Sequence, residues 1–260
     1  MTNEKSATGT FRPIHKILVW DVPIRLFHWT FASSLTLALG IGWGADDDGR
    51  LFPFHMLFGL VAVFTLLIRV MLGLGGSVSV RFRSFPLRPS ELARYLRGQF
   101  GGKRTDYIGH NPGSAWAAIA MFALVPALVL TGLSARLEAV GALHEILALL
   151  LLAVIGAHLA GLIGYTLRHR ENAGMAMLTG KRNGPPTDAI PSANGFHGLI
   201  LLLAIVSWST ALFANYDSAN GTVRLPVVNL TLRLAQPAHS QDAHDEDHEQ
   251  HVKERHAHDD

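Results

Sequence analysis

The chain has 260 residues, 49% of them hydrophobic and only 16% charged, with a mean hydropathy of +0.25. Soluble domains usually carry about 25% charged residues, so an ordinary water-soluble enzyme is a poor fit. The absence of cysteine excludes disulfides, thiolate metal sites, Cys-held iron–sulfur clusters and covalent c-type haem. The formal charge of +2 hides two opposed parts: His239–Asp260 holds two basic and eight acidic residues, net −6, which leaves +8 on the preceding chain.

Five uncharged apolar stretches follow in chain order, at about residues 26–45, 51–68, 114–135, 146–167 and 196–214. Each approaches or exceeds the ~18–20 residues that cross ~30 Å of hydrocarbon as a helix. A helix is also the structure that satisfies its own backbone where lipid offers no partner. The first 25 residues lack the apolar core of a secretory signal, so the first stretch is expected to be a retained span. The interior glycines and Pro126 do not disturb these spans, since membrane helices tolerate both.

Basic residues give an expected orientation. Arg81, Arg83, Arg88, Arg94, Arg97, Lys103 and Arg104 crowd the loop between the second and third stretches. Lys5, Arg12, Lys16 and Arg25 lie at the N-terminus, and Arg168, Arg170, Lys181 and Arg182 follow the fourth stretch, whereas the loop after the first begins Asp46-Asp47-Asp48. The positive-inside rule then puts the N-terminus in the cytoplasm and, after five spans, the C-terminal tail outside. In a Gram-negative cell that means an inner-membrane protein with a periplasmic tail. Within the arginine-rich loop, Pro89–Phe100 has the pattern of an amphipathic surface helix, with Leu92, Tyr95 and Leu96 opposite Arg94 and Arg97.

Fourteen histidines need a reason. Four fall in or at the edge of spans: His28 in the first, His55 in the second, and His144 and His158 in the fourth. Ionisable groups in membrane helices are costly and usually mark a ligand or a functional path. His144 and His158 are 14 residues apart, about 40° short of four full turns, so they share a helix face. Their rise is roughly 21 Å, one near each membrane surface. Helix direction then pairs His28 with His158 on the cytoplasmic side and His55 with His144 on the periplasmic side. Facing imidazoles in a bundle suit bis-His haem iron. Zinc would need three or four ligands at one level, and these four divide between two. The alternative is interfacial histidines bonded to backbone. The expected fold is therefore all-α: an integral membrane four-helix haem-binding bundle plus a fifth transmembrane helix.

Four segments carry a resemblance: VWDVPIRLFHW (Val19–Trp29), YIGHNPGSAW (Tyr107–Trp116), LHEILALLLLAVIGAH (Leu143–His158) and HRENAGMAMLTGKR (His169–Arg182). Together, over about residues 16–182, they resemble the bacterial cytochrome b561 family, which includes the cytochrome b subunits of membrane-bound nickel–iron hydrogenases. The resemblance implies two b haems, with His28, His55, His144 and His158 at the ligand positions, and electron transfer between the quinone pool and a partner. The expected division is a core over residues 1–182, a fifth helix over 183–215, and a periplasmic extension over 216–260.

Other residues have two readings each. Arg69 lies 14 residues after His55 and so faces the same interior side, where it could hold a haem propionate or snorkel to the interface. Arg25 has the same two readings. His110 and His169 could hydrogen-bond a quinone and carry its proton, or act as loop and capping residues. Glu145 could orient a ligand imidazole or cap its helix. Trp20, Trp29 and Trp43 read as interfacial belt residues. In the tail, His244, His248 and His251 would align on a helix as a loose metal site, or belong to a solvated terminus. The stretch TVRLPVVNLTLRLAQP before the tail alternates like a short strand or a docking extension.

Three functions are in competition. The first is an electron-transfer subunit that meets lipid, quinone and a redox partner, with a periplasmic c-type cytochrome ahead of a hydrogenase or another oxidoreductase subunit. The second is a stand-alone quinone-linked oxidoreductase, such as a superoxide oxidase. The third is a metal-handling membrane protein that works through its tail. Nucleic acid is not an expected partner.

Overall fold

A computed structural model describes residues 15–46, 49–75, 81–100, 107, 109–134, 137–228 and 230–234. Lys5, Arg12, Lys103, Arg104 and the whole His-rich tail, with His244, His248 and His251, lie outside the described residues.

The long helices are α1 (Val22–Gly44), α2 (Phe52–Gly75), α4 (Pro112–Leu133), α5 (Glu138–His169) and α7 (Gly195–Ala214). Between them come the short α3 (Pro89–Phe100) and α6 (Met175–Thr179). Their starts follow local chemistry. Asp21 caps α1 by accepting from Ile24 N at 3.2 Å, and Asn111 caps α4 by accepting from Ser114 N at 2.8 Å. Pro23 and Pro112 each sit in the first turn, where a missing N–H costs nothing. Pro126 is accommodated inside α4. The amphipathic stretch Pro89–Phe100 is helical over its expected bounds.

Among the described residues four helices, α2, α4, α5 and α7, are long and apolar enough to cross a membrane, with mean hydropathies of 1.9 to 2.6. The chain is thus a multi-pass membrane protein. Of the five expected spans the first, on α1, is 23 residues long but is not among them. Arg25, His28, Thr30, Ser33, Ser34 and Thr36 dilute its apolarity. Two of these hydroxyls are spent inside the helix, Ser34 on Thr30 O at 2.8 Å and Thr36 on Ala32 O at 2.9 Å.

The helices alternate in direction. Gly42 near the end of α1 meets His55 near the start of α2, and Gly132 at the end of α4 meets His144 near the start of α5. The end where α1 begins is called proximal below, and the other distal. A core of Ile24, Phe27, Phe31, Leu35, Ala62, Leu66, Val125 and Leu151 joins α1, α2, α4 and α5. On α5, Ile146, Leu149, Leu150, Ile163 and Leu167 are exposed, as expected of a face turned to lipid.

The fold is not purely helical. At the proximal end β1 (His15–Leu18) pairs antiparallel with β2 (Lys181–Gly184), bringing the two ends of the core together. The turn before β2 depends on Gly180, which has φ +77° and whose missing Cβ would lie 2.7 Å from Trp20 O. Its own carbonyl accepts from Val19 N and Trp20 N. At the distal end β3 (Tyr216–Asp217), β4 (Thr222–Arg224) and β5 (Thr231–Arg233) form a small antiparallel sheet. The strand expected in TVRLPVVNLTLRLAQP is thus the pair β4 and β5. Val223 and Leu234 pack with Leu57, Leu60, Val61 and Leu212, so the sheet closes the distal end over α2 and α7.

Candidate functional site

The distal site is built from α1, α2, α4 and α5. His55 lies on the first turn of α2, where its Nδ1 is 2.7 Å from Ala38 O of α1. A carbonyl only accepts, so Nδ1 carries the proton and the Nε2 lone pair is left available. His144 lies two turns into α5 because that helix starts at Glu138, earlier than its apolar run suggests. Its Nδ1 is 3.0 Å from Thr131 Oγ1 on α4.

The two rings stand 6.1 Å apart between centroids, with planes at 75°. Two imidazoles sharing one metal at ~2.0–2.1 Å per nitrogen would place their centres about 6.3 Å apart. Each ring rests against a glycine: a Cβ on Gly42 would come 2.7 Å from His55 Nδ1, and one on Gly132 would come 3.1 Å from His144 Cε1. Between the helices is an apolar cavity of about 70 Å³ lined by both histidines, Leu35 and Leu39 of α1, Met56 of α2, Leu128 of α4 and Leu151 of α5. Apolar walls, two facing imidazoles, His55 with its Nε2 lone pair available, and glycine clearance fit a haem.

The proximal site uses the other ends of the same helices. His28 and His158 lie within electrostatic reach of one another. The Nδ1 of His28 is buried and has no hydrogen-bond partner among the described residues. Beside them is Arg69, 1% exposed, so the guanidinium does not snorkel to water. The rings of Phe27, Phe82, Phe85 and Phe122 surround it, their centroids 4.9 to 5.8 Å from its central carbon. Asp21 lies within coulombic reach of the same group. A buried cation is costly unless counter-charges and ring faces offset its lost hydration.

His110 belongs to this proximal cluster. It sits edge-on to Trp20 at 4.8 Å and tilted against Phe85 at 4.3 Å. Burial, reinforced by the charges of Arg69 and then His158, pushes His110 down to about 3. Its Nδ1 has no hydrogen-bond partner among the described residues. Trp20 is 4% exposed in this contact, which overturns its reading as a belt residue; Trp29 and Trp43 are exposed. The sequence could not reveal the Trp20 contact, because its partner lies 90 residues away.

The remaining candidates are placed elsewhere. Arg25 reaches the carbonyls of Met177 and Leu178, so it braces α6 against α1. His169 stacks on Tyr165 with centroids 4.0 Å apart, and its Nδ1 is 3.2 Å from Tyr165 O. Glu145 is exposed. Among the described residues no three or more His, Cys, Asp or Glu side chains converge as a metal site. Sites with two ligands each are of a different kind. Thr131 was not visible as a site residue, since nothing in its own neighbourhood points to His144.

Compared with known proteins, residues 19–180 match the prokaryotic cytochrome b561 family. No curated protein and no solved structure matches the chain.

Proposed function

The chain belongs to the prokaryotic cytochrome b561 family, whose members are membrane b-type cytochromes of electron transfer, and from that premise we propose that it carries two b haems and links the quinone pool to a redox partner. The observation that carries this reading is the distal pair, two imidazoles 6.1 Å apart on an apolar cavity, at least one with its Nδ1 proton committed to a carbonyl. His55 and His144 would hold the distal haem, and His28 and His158 the proximal one. Haem iron supplies one-electron chemistry, cycling between two oxidation states without an open coordination site.

The chain's own residues prepare both places. Ala38 O and Thr131 orient the distal imidazoles, while the leucines around them exclude water and lower the local dielectric. At the proximal level, Arg69 offers a buried cation suited to a propionate. His110, neutral near pH 7, offers a further hydrogen-bonding nitrogen beside it. We take α1 as a span, the first of the five expected, because it provides His28, sets Leu35, Ala38 and Leu39 against the distal cavity, and satisfies its Ser34 and Thr36 hydroxyls internally. With the arginine-rich loop inside, the proximal end is cytoplasmic and the distal end periplasmic in a bacterial inner membrane. The chain lacks cysteine for a c haem or cluster of its own, so a separate protein receives or delivers electrons. A periplasmic c-type cytochrome facing the distal end is the partner we favour.

The test is optical. Purified protein should give a b-type reduced-minus-oxidised spectrum, and a reduced quinone analogue should reduce it. A haem spectrum that no quinol can develop would remove the quinone from this account.

A further inference from the structure

The two histidine pairs differ in what holds their imidazoles. His28 Nδ1 at the proximal level is buried with no hydrogen-bond partner among the described residues. Both distal imidazoles are held: His55 Nδ1 by Ala38 O, and His144 Nδ1 by Thr131 Oγ1 at 3.0 Å. Thr131 has one hydroxyl proton. Its oxygen lies 2.8 Å from Ala127 O and 3.1 Å from Leu128 O one turn back in α4, and these carbonyls take that proton. What Thr131 has left for His144 is a lone pair, so it accepts and His144 Nδ1 donates. The Leu128 carbonyl also reaches His144, again as an acceptor. Gly132, the next residue, lies so close that a Cβ there would be 3.4 Å from the same Nδ1.

We propose that Thr131 is a positioning residue for His144: it fixes the tautomer that leaves Nε2 free for iron and lowers the midpoint potential of the distal haem. The inference rests on the two-haem reading above. An acceptor on the far nitrogen makes a ligating imidazole more basic, and a more basic ligand favours the oxidised iron.

Thr131→Val keeps the shape of the side chain and removes the hydroxyl; Thr131→Ser keeps the hydroxyl. Both are compared with wild type in the full-length, haem-loaded protein by haem content and spectroelectrochemical titration. In Thr131→Val one of two midpoints should rise, with the oxidised-to-reduced ratio at fixed ambient potential falling about tenfold, ~59 mV for one electron. The other midpoint should stay in place, and Thr131→Ser should restore the wild-type titration. If Thr131→Val instead loses one haem, Thr131→Ser must recover it. The proposal is overturned if Thr131→Val binds both haems with neither midpoint moved, if both midpoints move together, or if the serine variant behaves like the valine. A wild-type chain that purifies folded but without haem would overturn the reading beneath it, a result distinct from all of these.

Discussion

Gly40 and Gly42 of α1 lie two residues apart, about 200° around the helix, so they face nearly opposite ways. A Cβ on Gly42 would lie 2.7 Å from His55 Nδ1, about 0.7 Å short of the 3.4 Å at which ordinary contact begins, whereas one on Gly40 would meet none of the described residues within 4 Å. Gly→Ala in a helix gains up to ~1 kcal/mol of propensity at either position. At Gly42 the imidazole must also move off Ala38 O, losing a hydrogen bond of about 1 kcal/mol and adding overpacking of about 1–3 kcal/mol. Gly40→Ala should therefore bind haem as wild type does. Gly42→Ala should lose the distal haem or bind it weakly, and keep the proximal one. Haem content per chain by pyridine haemochrome, with the difference spectrum of each variant, reads this directly. Equal haem content and identical spectra in the two variants would refute the placement of His55 as a ligand.

Replacing His28 or His158 should remove one haem, and replacing His55 or His144 the other; spectra in which the His28 and His144 variants lose the same haem would contradict the pairing. Arg69→Leu takes a buried positive charge from the proximal level and should lower the midpoint of that haem alone, so a titration unchanged at both haems would count against the propionate role. For His110, the folded chain refuses a proton, at about 3, that the unfolded chain accepts near 6.5. Its contribution to stability is therefore complete above about pH 6.5 and is lost as pH falls toward about 3. His110→Asn should show a smaller drop in thermal midpoint than wild type between about pH 7 and about pH 4.5, and equal drops would contradict the burial. Deleting His239–Asp260 should leave the haem spectrum intact, while alkaline phosphatase fused to the C-terminus should be active; an inactive fusion with a bright cytoplasmic reporter would reverse the topology.

The helices were legible because apolar runs of this length have one economical structure in lipid, and the histidine levels because 14 residues on a helix return to nearly the same face. Arg69 follows from the same arithmetic, and its burial agrees with it. What escaped the sequence depends on contacts between distant segments. Trp20 looks like an interfacial tryptophan until His110 is packed against it. Arg25 has no visible partner until α6 brings the carbonyls of Met177 and Leu178 alongside. The start of α5 at Glu138 lies ahead of its uncharged run because Glu145 interrupts that run without ending the helix. Thr131 is one of many hydroxyls in apolar helices. Its link to His144 exists only once the short connection after Leu133 folds α5 back along α4.

The central claim is that four histidines at two levels hold two haems. Haem b per chain in the purified full-length protein, extracted with acid acetone and assayed as the pyridine haemochrome, tests it most directly. The account predicts a ratio near two (~2), all of it extractable, since no cysteine is present to bind haem covalently. A ratio near one (~1) would leave one pair without its haem, and a ratio near zero (~0) in folded protein would contradict the claim outright.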